Sequence, residues 1–217
     1  MSASMPWLDR LAHDLRGPLT PLQTAAYLLK SGQLEPARQQ ELFEMIERQT
    51  KRLGRMIDEV SDWSRASQGR LLGAQDSYEP AMLLDFAVSS VVPGRRVLPV
   101  ITDDSGEGRV HGDQLRLVQL LRTLVEYAAA RTGGRPPTLH LWRDADALRI
   151  DVTDDAATPD PAQLATLLDA PMPEPYDEGL GLRLLIARAI AEAHGGALAA
   201  EVAPEGGMQL RCTLPLA

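Results

Sequence analysis

The chain is poor in cysteine, in aromatic residues and in clustered positive charge. Cys212 is the only cysteine among 217 residues. An internal disulfide and a cysteine-based zinc site are therefore excluded, and a reducing compartment, the cytoplasm, fits. Aromatic residues make up 4% of the chain while hydrophobic residues reach 44%, so any core must be built from Leu, Val, Ile and Ala. Net charge is -8 and no long basic run occurs, which argues against nucleic acid as a partner. No apolar run approaches the ~18–20 residues of a membrane span. The stretch before His13 is also too short and too polar for a signal peptide. A length of 217 residues allows one large domain or two small ones.

What the sequence does hold starts near its beginning. Leu8, Leu11, Leu15, Leu19, Leu22, Ala26 and Leu29 recur at gaps of three and four, the mark of one helical face over residues 6–30. His13 falls off that face and is expected in solvent. Pro18 removes a backbone donor just beyond it and loosens the turn. A short break at residues 31–35 precedes Pro36, a suitable first residue for a second helix running to about residue 67. Its stripe is Leu42, Met45, Ile46, Gln49, Leu53, Met56, Ile57, Val60 and Trp63, a near-heptad bundle pattern. One hairpin leaves apolar surface bare, and pairing two copies into a four-helix bundle would cover it.

Composition changes after Ser67, and glycine-bearing polar residues place a hinge near 66–76. The remainder mixes helices and strands. Helices are expected over 79–90, from Gly112-Asp113 to about Arg131 with Leu115, Val118, Leu121, Leu124, Val125 and Ala128 apolar, and over 182–194, ended by Gly195-Gly196. Strands are expected over 97–101, 138–142, 148–152, 197–202 and 209–214. Helices on one face of a mixed sheet give an α/β sandwich. The fold class is thus α+β, with domains at 1–67, 77–217 and a linker at 68–76.

The run His13-Asp14-Leu15-Arg16-Gly17-Pro18-Leu19 resembles the H-box of sensor histidine kinases. The resemblance implies His13 as phosphoacceptor, with Asp14 holding or deprotonating its ring. A neutral imidazole is the nucleophile that chemistry needs. Three later stretches resemble, in order, the family's catalytic ATP-binding domain. They are Asp113 to Leu121, Val152-Thr153-Asp154-Asp155, and Gly179-Leu180-Gly181-Leu182 followed by His194-Gly195-Gly196. Asp154 stands where the family's aspartate receives the adenine amino group. Gly179 and Gly181 would let backbone amides approach phosphate.

Departures from the family pattern accompany the likeness. Tyr127 stands at the position of the asparagine that coordinates magnesium, and a phenol is a poor ligand for a hard cation. The neighbouring Glu126 lies ~100° round the helix. Asp154-Asp155-Ala156-Ala157-Thr158 lacks both glycines that the family carries there. The lid, residues 159–178, is short, with four prolines besides Pro159 and no phenylalanine. ATP and magnesium binding are accordingly expected to be weak or lost, with no metal ligand assigned. Asp154 could then be only a strand-end carboxylate, and Gly179 and Gly181 could serve close helix packing. His111 and His140 read as surface or strand residues, and His194 as a helix-end histidine whose partly charged ring favours the dipole.

Three functions are compatible with this pattern. In the first, a homodimeric phosphotransfer protein exchanges phosphoryl between His13 and a receiver-domain aspartate of a response regulator. In the second, an active kinase recruits Glu126 or Asp155 for magnesium. In the third, a non-catalytic scaffold binds a sensor kinase or a response regulator. The family's threonine or asparagine four positions after the histidine is here Gly17, so phosphatase activity is expected to be low.

Overall fold

The computed structural model describes residues 6–32, 34–90 and 100–217. Its contacts divide the chain into two units. The first runs through Ser61 and includes Asp177–Leu180; the second holds Asp62–Tyr176 and Gly181–Ala217.

Two long helices make the first unit, α1 (Pro6–Lys30) and α2 (Pro36–Ser67), the latter passing into the second unit at Asp62. Helix α1 runs through Pro18 and Pro21 without interruption. Neither proline has an N–H to donate to the carbonyl four residues back. The buried positions of the two helices are Pro18, Ala25, Leu42, Met56 and Glu59. This shifts the expected stripe. Ala25 is buried and Ala26 exposed, one residue and so about 100° of helix apart. Leu19 and Ile57 are 42% and 61% exposed, and Tyr27 and Phe43 join them on the surface.

The second unit is a five-stranded mixed sheet with helices on it. Its remaining elements are β1 (Asp76–Tyr78), α3 (Pro80–Ser89), β2 (Val100–Asp104), β3 (Val110–Gly112), α4 (Gln114–Arg131), β4 (Thr138–Asp144), β5 (Ala147–Thr153), α5 (Pro161–Thr166), α6 (Arg183–Ala193), β6 (Ala197–Val202) and β7 (Met208–Pro215). Strand order is β2-β4-β5-β7-β6, with β2 parallel to β4 and the other pairs antiparallel. The sequence shows the two hairpins β4–β5 and β6–β7. It does not show the parallel pair, nor the separate β1–β3 ribbon of three-residue strands. The strand expected over 97–101 is observed from Val100; residues 97–99 lie outside those described.

Alternation within the sheet follows from the strand period of two. Leu139, Leu141, Leu148, Ile150, Val152, Leu210, Cys212 and Leu214 point into the core beneath α4 and α6. Burial pushes the Cys212 thiol up to about 12, which leaves it without thiolate chemistry at neutral pH. The opposite face carries Trp142, Asp151 and Arg211. Burial works to raise the Asp151 pKa, but hydrogen bonds from Arg211, Gln209 and Trp142 outweigh it and hold the carboxyl below its ordinary range. A carboxyl lowered in the folded state stabilises fully above its unfolded pKa of about 3.9, and that contribution is lost as pH falls through the lower folded value. Asp151→Asn is therefore expected to flatten the acid limb of a pH–stability curve recorded by urea denaturation.

His194 corrects the helix-dipole reading. It caps α6 but is buried, 7% exposed. Its Nε2 accepts the Asp113 backbone N–H at 3.0 Å, so Nδ1 carries the proton and donates to the Ile190 carbonyl at 2.7 Å. The ring works in its neutral form as a tie between the end of α6 and the start of α4. The Asp113 carboxylate caps α4 by accepting from Arg116 N–H and also accepts from Gly73 N–H. His194→Ala strands the buried Asp113 N–H, while the Ile190 carbonyl keeps the backbone N–H of residue 194, and is expected to cost about 1–3 kcal/mol in urea denaturation. Leu115, expected in the core, is 80% exposed, while Leu117, two residues on and so about 200° round the helix, is buried. Among the described residues no helix is long and apolar enough to cross a membrane.

Candidate functional site

His13 projects into solvent, its side chain 86% exposed. Its Nδ1 lies 3.2 Å from Asp14 Oδ1. A carboxylate only accepts, so Nδ1 carries the proton and Nε2 presents its lone pair outward. One turn on is Gly17. A Cβ built there meets nothing within 4 Å, so the space next to the imidazole is open.

The three residues read as nucleotide contacts do not stand together in one unit. Gly179 belongs to the first, Asp154 and Gly181 to the second.

Asp154 ends β5 with its side chain fully buried. Both oxygens are engaged within the protein. Oδ2 accepts from Arg131 Nε at 2.7 Å, and Oδ1 accepts from Ala156 N–H at 2.9 Å. Arg131 reaches on to donate to the Ala157 carbonyl at 2.8 Å. A guanidinium from the last turn of α4 thus lies on the carboxylate that the sequence assigns to an adenine amino group.

One turn back along α4, Tyr127 is 8% exposed, and burial pushes its phenol above the usual range. Its ring meets Tyr176 edge to face at 5.7 Å between centroids. Arg183 lies 5.5 Å from the Tyr176 ring centre and pairs with Glu126 at 2.5 Å. Asp155 pairs with Arg135, also at 2.5 Å. The two carboxylates open to magnesium in the sequence are each held by an arginine.

Gly181 has φ +76°, and a Cβ there would run into the backbone of Met172. The Met172 N–H donates to the Gly181 carbonyl at 3.0 Å. Close backbone approach therefore accounts for this glycine, and its neighbour is an irregular segment rather than a helix. Gly179 lies against the Glu59 carboxylate of α2, with no room for a Cβ.

Sequence reasoning missed Arg131, Tyr176, Arg183 and Glu59. A signal existed for Arg131, which stands four residues after Tyr127 on the same face of α4. Tyr176, Arg183 and Glu59 reach their partners only through the fold.

Two family models match the chain. One is the His Kinase A (phospho-acceptor) domain, over residues 7–69. The other is the histidine kinase-, DNA gyrase B- and HSP90-like ATPase, over residues 112–217. Among curated proteins, the sensor protein ChvG of Agrobacterium fabrum is 30% identical over 208 residues, 88% of this chain and 35% of that protein. The probable sensor protein PcoS of Escherichia coli is 32% identical over 199 residues, 88% of this chain and 42% of its own length. The chain spans 26–54% of the length of curated relatives of this kind. Two solved structures share the fold. The Acinetobacter baumannii histidine kinase AdeS superposes with a TM-score of 0.73 at 18% identity, covering 94% of this chain and 98% of that one. Histidine kinase ThkA in complex with the response regulator protein TrrA superposes at 0.72 and 21% identity, covering 97% and 61%.

Proposed function

Because the chain belongs to the sensor histidine kinase family, we propose that it is a phosphotransfer protein whose nucleotide site no longer serves. His13 exchanges a phosphoryl group with the aspartate of a response regulator's receiver domain, and ATP binds weakly or not at all. The observation that carries this is the Arg131 guanidinium on Asp154. An adenine amino group needs a free carboxylate oxygen, and burial makes displacing a paired guanidinium costly. The residues present do not fit ATP and its magnesium. A buried tyrosine stands at the metal position, and Glu126 and Asp155 are paired with arginines.

His13 keeps what the chemistry requires. Nε2 attacks the phosphorus of the aspartyl phosphate. The P–N bond forms as the P–O bond breaks, and the carboxylate leaves with the electron pair. Asp14 holds Nδ1–H and stabilises the positive ring that forms. Both phosphoryl forms have high transfer potential, so positioning decides the exchange.

The proposed assembly is a homodimer, supported by the exposed Tyr27, Phe43 and Ile57 on α1 and α2. The proposed domains are residues 1–67 for dimerisation and phosphotransfer, 68–76 as linker and 77–217 as the altered ATPase-type domain.

The test mixes the full chain, without nucleotide, with receiver domains carrying labelled acyl phosphate. Acid-labile label on His13 is expected; no transfer to His13 from any receiver sinks the proposal. A scaffold role is the second reading, favoured by the same internal pairing of Asp154. An effect on a partner that persists in His13→Ala would select it.

Gly17 yields a further expectation. Apart from the label that moves to His13, the wild type should not speed release of inorganic phosphate from a receiver's acyl phosphate. Gly17→Asn fills open space one turn from His13 and supplies a side chain able to orient water. It should raise that release severalfold in a phosphate-release assay, without loss of helix stability, since a helical glycine is itself unfavourable by about 0.5–1 kcal/mol.

A further inference from the structure

Three charged side chains of α2 hold the backbone of Asp177–Leu180. Arg52, Arg55 and Glu59 are spaced three and four apart and so follow one another up a single helix face. Arg52 Nε donates to the Glu178 carbonyl at 2.9 Å. Arg55 donates to the Asp177 carbonyl at 3.2 Å. One turn on, a Glu59 carboxylate oxygen accepts the Leu180 N–H at 3.1 Å. Each contact matches in sign, cations on carbonyls and an anion on an amide.

Glu59 is 5% exposed. Its carboxylate presses on Gly179 so closely that any Cβ there would overlap it. The Gly179 N–H is taken as well, donating to Asp177 Oδ1 at 3.1 Å. Glu178, between the gripped residues, sits at φ +59°, a left-handed conformation that costs a non-glycine residue and needs support from its surroundings.

Consecutive backbone amides beside a glycine form a concavity for anions, and a carboxylate and a phosphate oxygen compete for it as equivalent acceptors. We propose that Glu59 is a built-in anion that occupies the Gly179–Leu180 backbone and closes it to phosphate while the α2 contact stands. This rests on reading the glycine segment as a former phosphate site, and it extends the account from the adenine end to the phosphate end.

The test uses the full chain and inorganic tripolyphosphate, followed by hydrogen exchange and calorimetry. Glu59→Gln keeps the side chain's shape and removes its charge. Exchange over residues 177–180 is expected to rise at least tenfold in this variant, and tripolyphosphate to bind it at least tenfold more tightly than wild type. Arg55→Ala, at an exposed position, is the second variant, and it should speed exchange over the same segment severalfold. Equal tripolyphosphate affinity in wild type and Glu59→Gln, measurable or nil, overturns the proposal. Should Glu59→Gln fail to fold, unchanged exchange in Arg55→Ala overturns it. Tripolyphosphate carries no adenine, so failure here leaves the Arg131–Asp154 reading standing, and failure of that reading leaves this result standing.

Discussion

Phosphoryl transfer from a receiver domain is expected to fall to background in His13→Ala, with folding and thermal stability unchanged. The two halves of this expectation come from the same observation. An 86% exposed side chain contributes little packing, so its removal costs little stability. Yet in the proposed transfer Nε2 is the atom that bonds to phosphorus, and the adjacent residues offer no substitute. Asp14 is an acceptor-only carboxylate, and the next turn offers Gly17, which has no side chain. His13→Gln should behave as alanine does, because an amide nitrogen is no nucleophile. Gel transfer assays with labelled receiver, run beside thermal melts of both variants, check the expectation. Residual transfer above a few per cent would place the acceptor elsewhere.

Arg131→Ala carries the largest expected effect on stability. Asp154 is fully buried and its partner 20% exposed. Removing the guanidinium leaves a buried carboxylate with one backbone donor. Breaking such a pair costs about 3–5 kcal/mol, against a typical folding free energy of about 5–15 kcal/mol. Asp154→Asn in the same chain should recover part of that loss, since it removes the uncompensated charge. The neighbouring Arg135–Asp155 pair is the control. Its side chains are 59% and 65% exposed. Breaking a solvent-exposed pair of this kind costs about 0–1 kcal/mol. Urea denaturation of the two single variants and the Arg131/Asp154 double variant separates these cases. Similar losses at positions 131 and 135 would mean that the buried pair is not the one holding this end of the sheet.

The legible parts of the fold were those with enough residues to show a period. The stripe of α2 and the alternation of β4, β5 and β7 each supply several repeats, and their bounds agree with the structure to within a few residues. Helix α4 announced itself by its cap, Asp113. Three-residue strands supply no period, so β1 and β3 were invisible. The parallel pairing of β2 with β4 joins residues nearly forty apart, and no local signal records it. Periodicity also fails to tell which apolar residues of a stripe are buried. Leu115 and Ile57 fit their stripes and stand exposed.

The candidate site divides in the same way. His13, Asp14, Tyr127 and Asp154 stand out in the sequence because each is placed by a short local motif. What stands beside the positions the resemblance assigns to nucleotide does not. Arg131 meets Asp154 across 23 residues, and Glu59 meets Leu180 across 121. An arginine at a helix end and a glutamate in a charged helix look like solvated side chains until the fold brings their partners. A departure from a family pattern shows in sequence as residues that are missing; what stands in their place shows only in three dimensions.

The most direct measurement is calorimetric titration of the full chain with ATP in the presence of magnesium. With Arg131 on Asp154 and Tyr127 buried at the metal position, no binding is expected up to millimolar ATP. Micromolar binding would contradict the account and return the chain to its relatives as a nucleotide-using kinase.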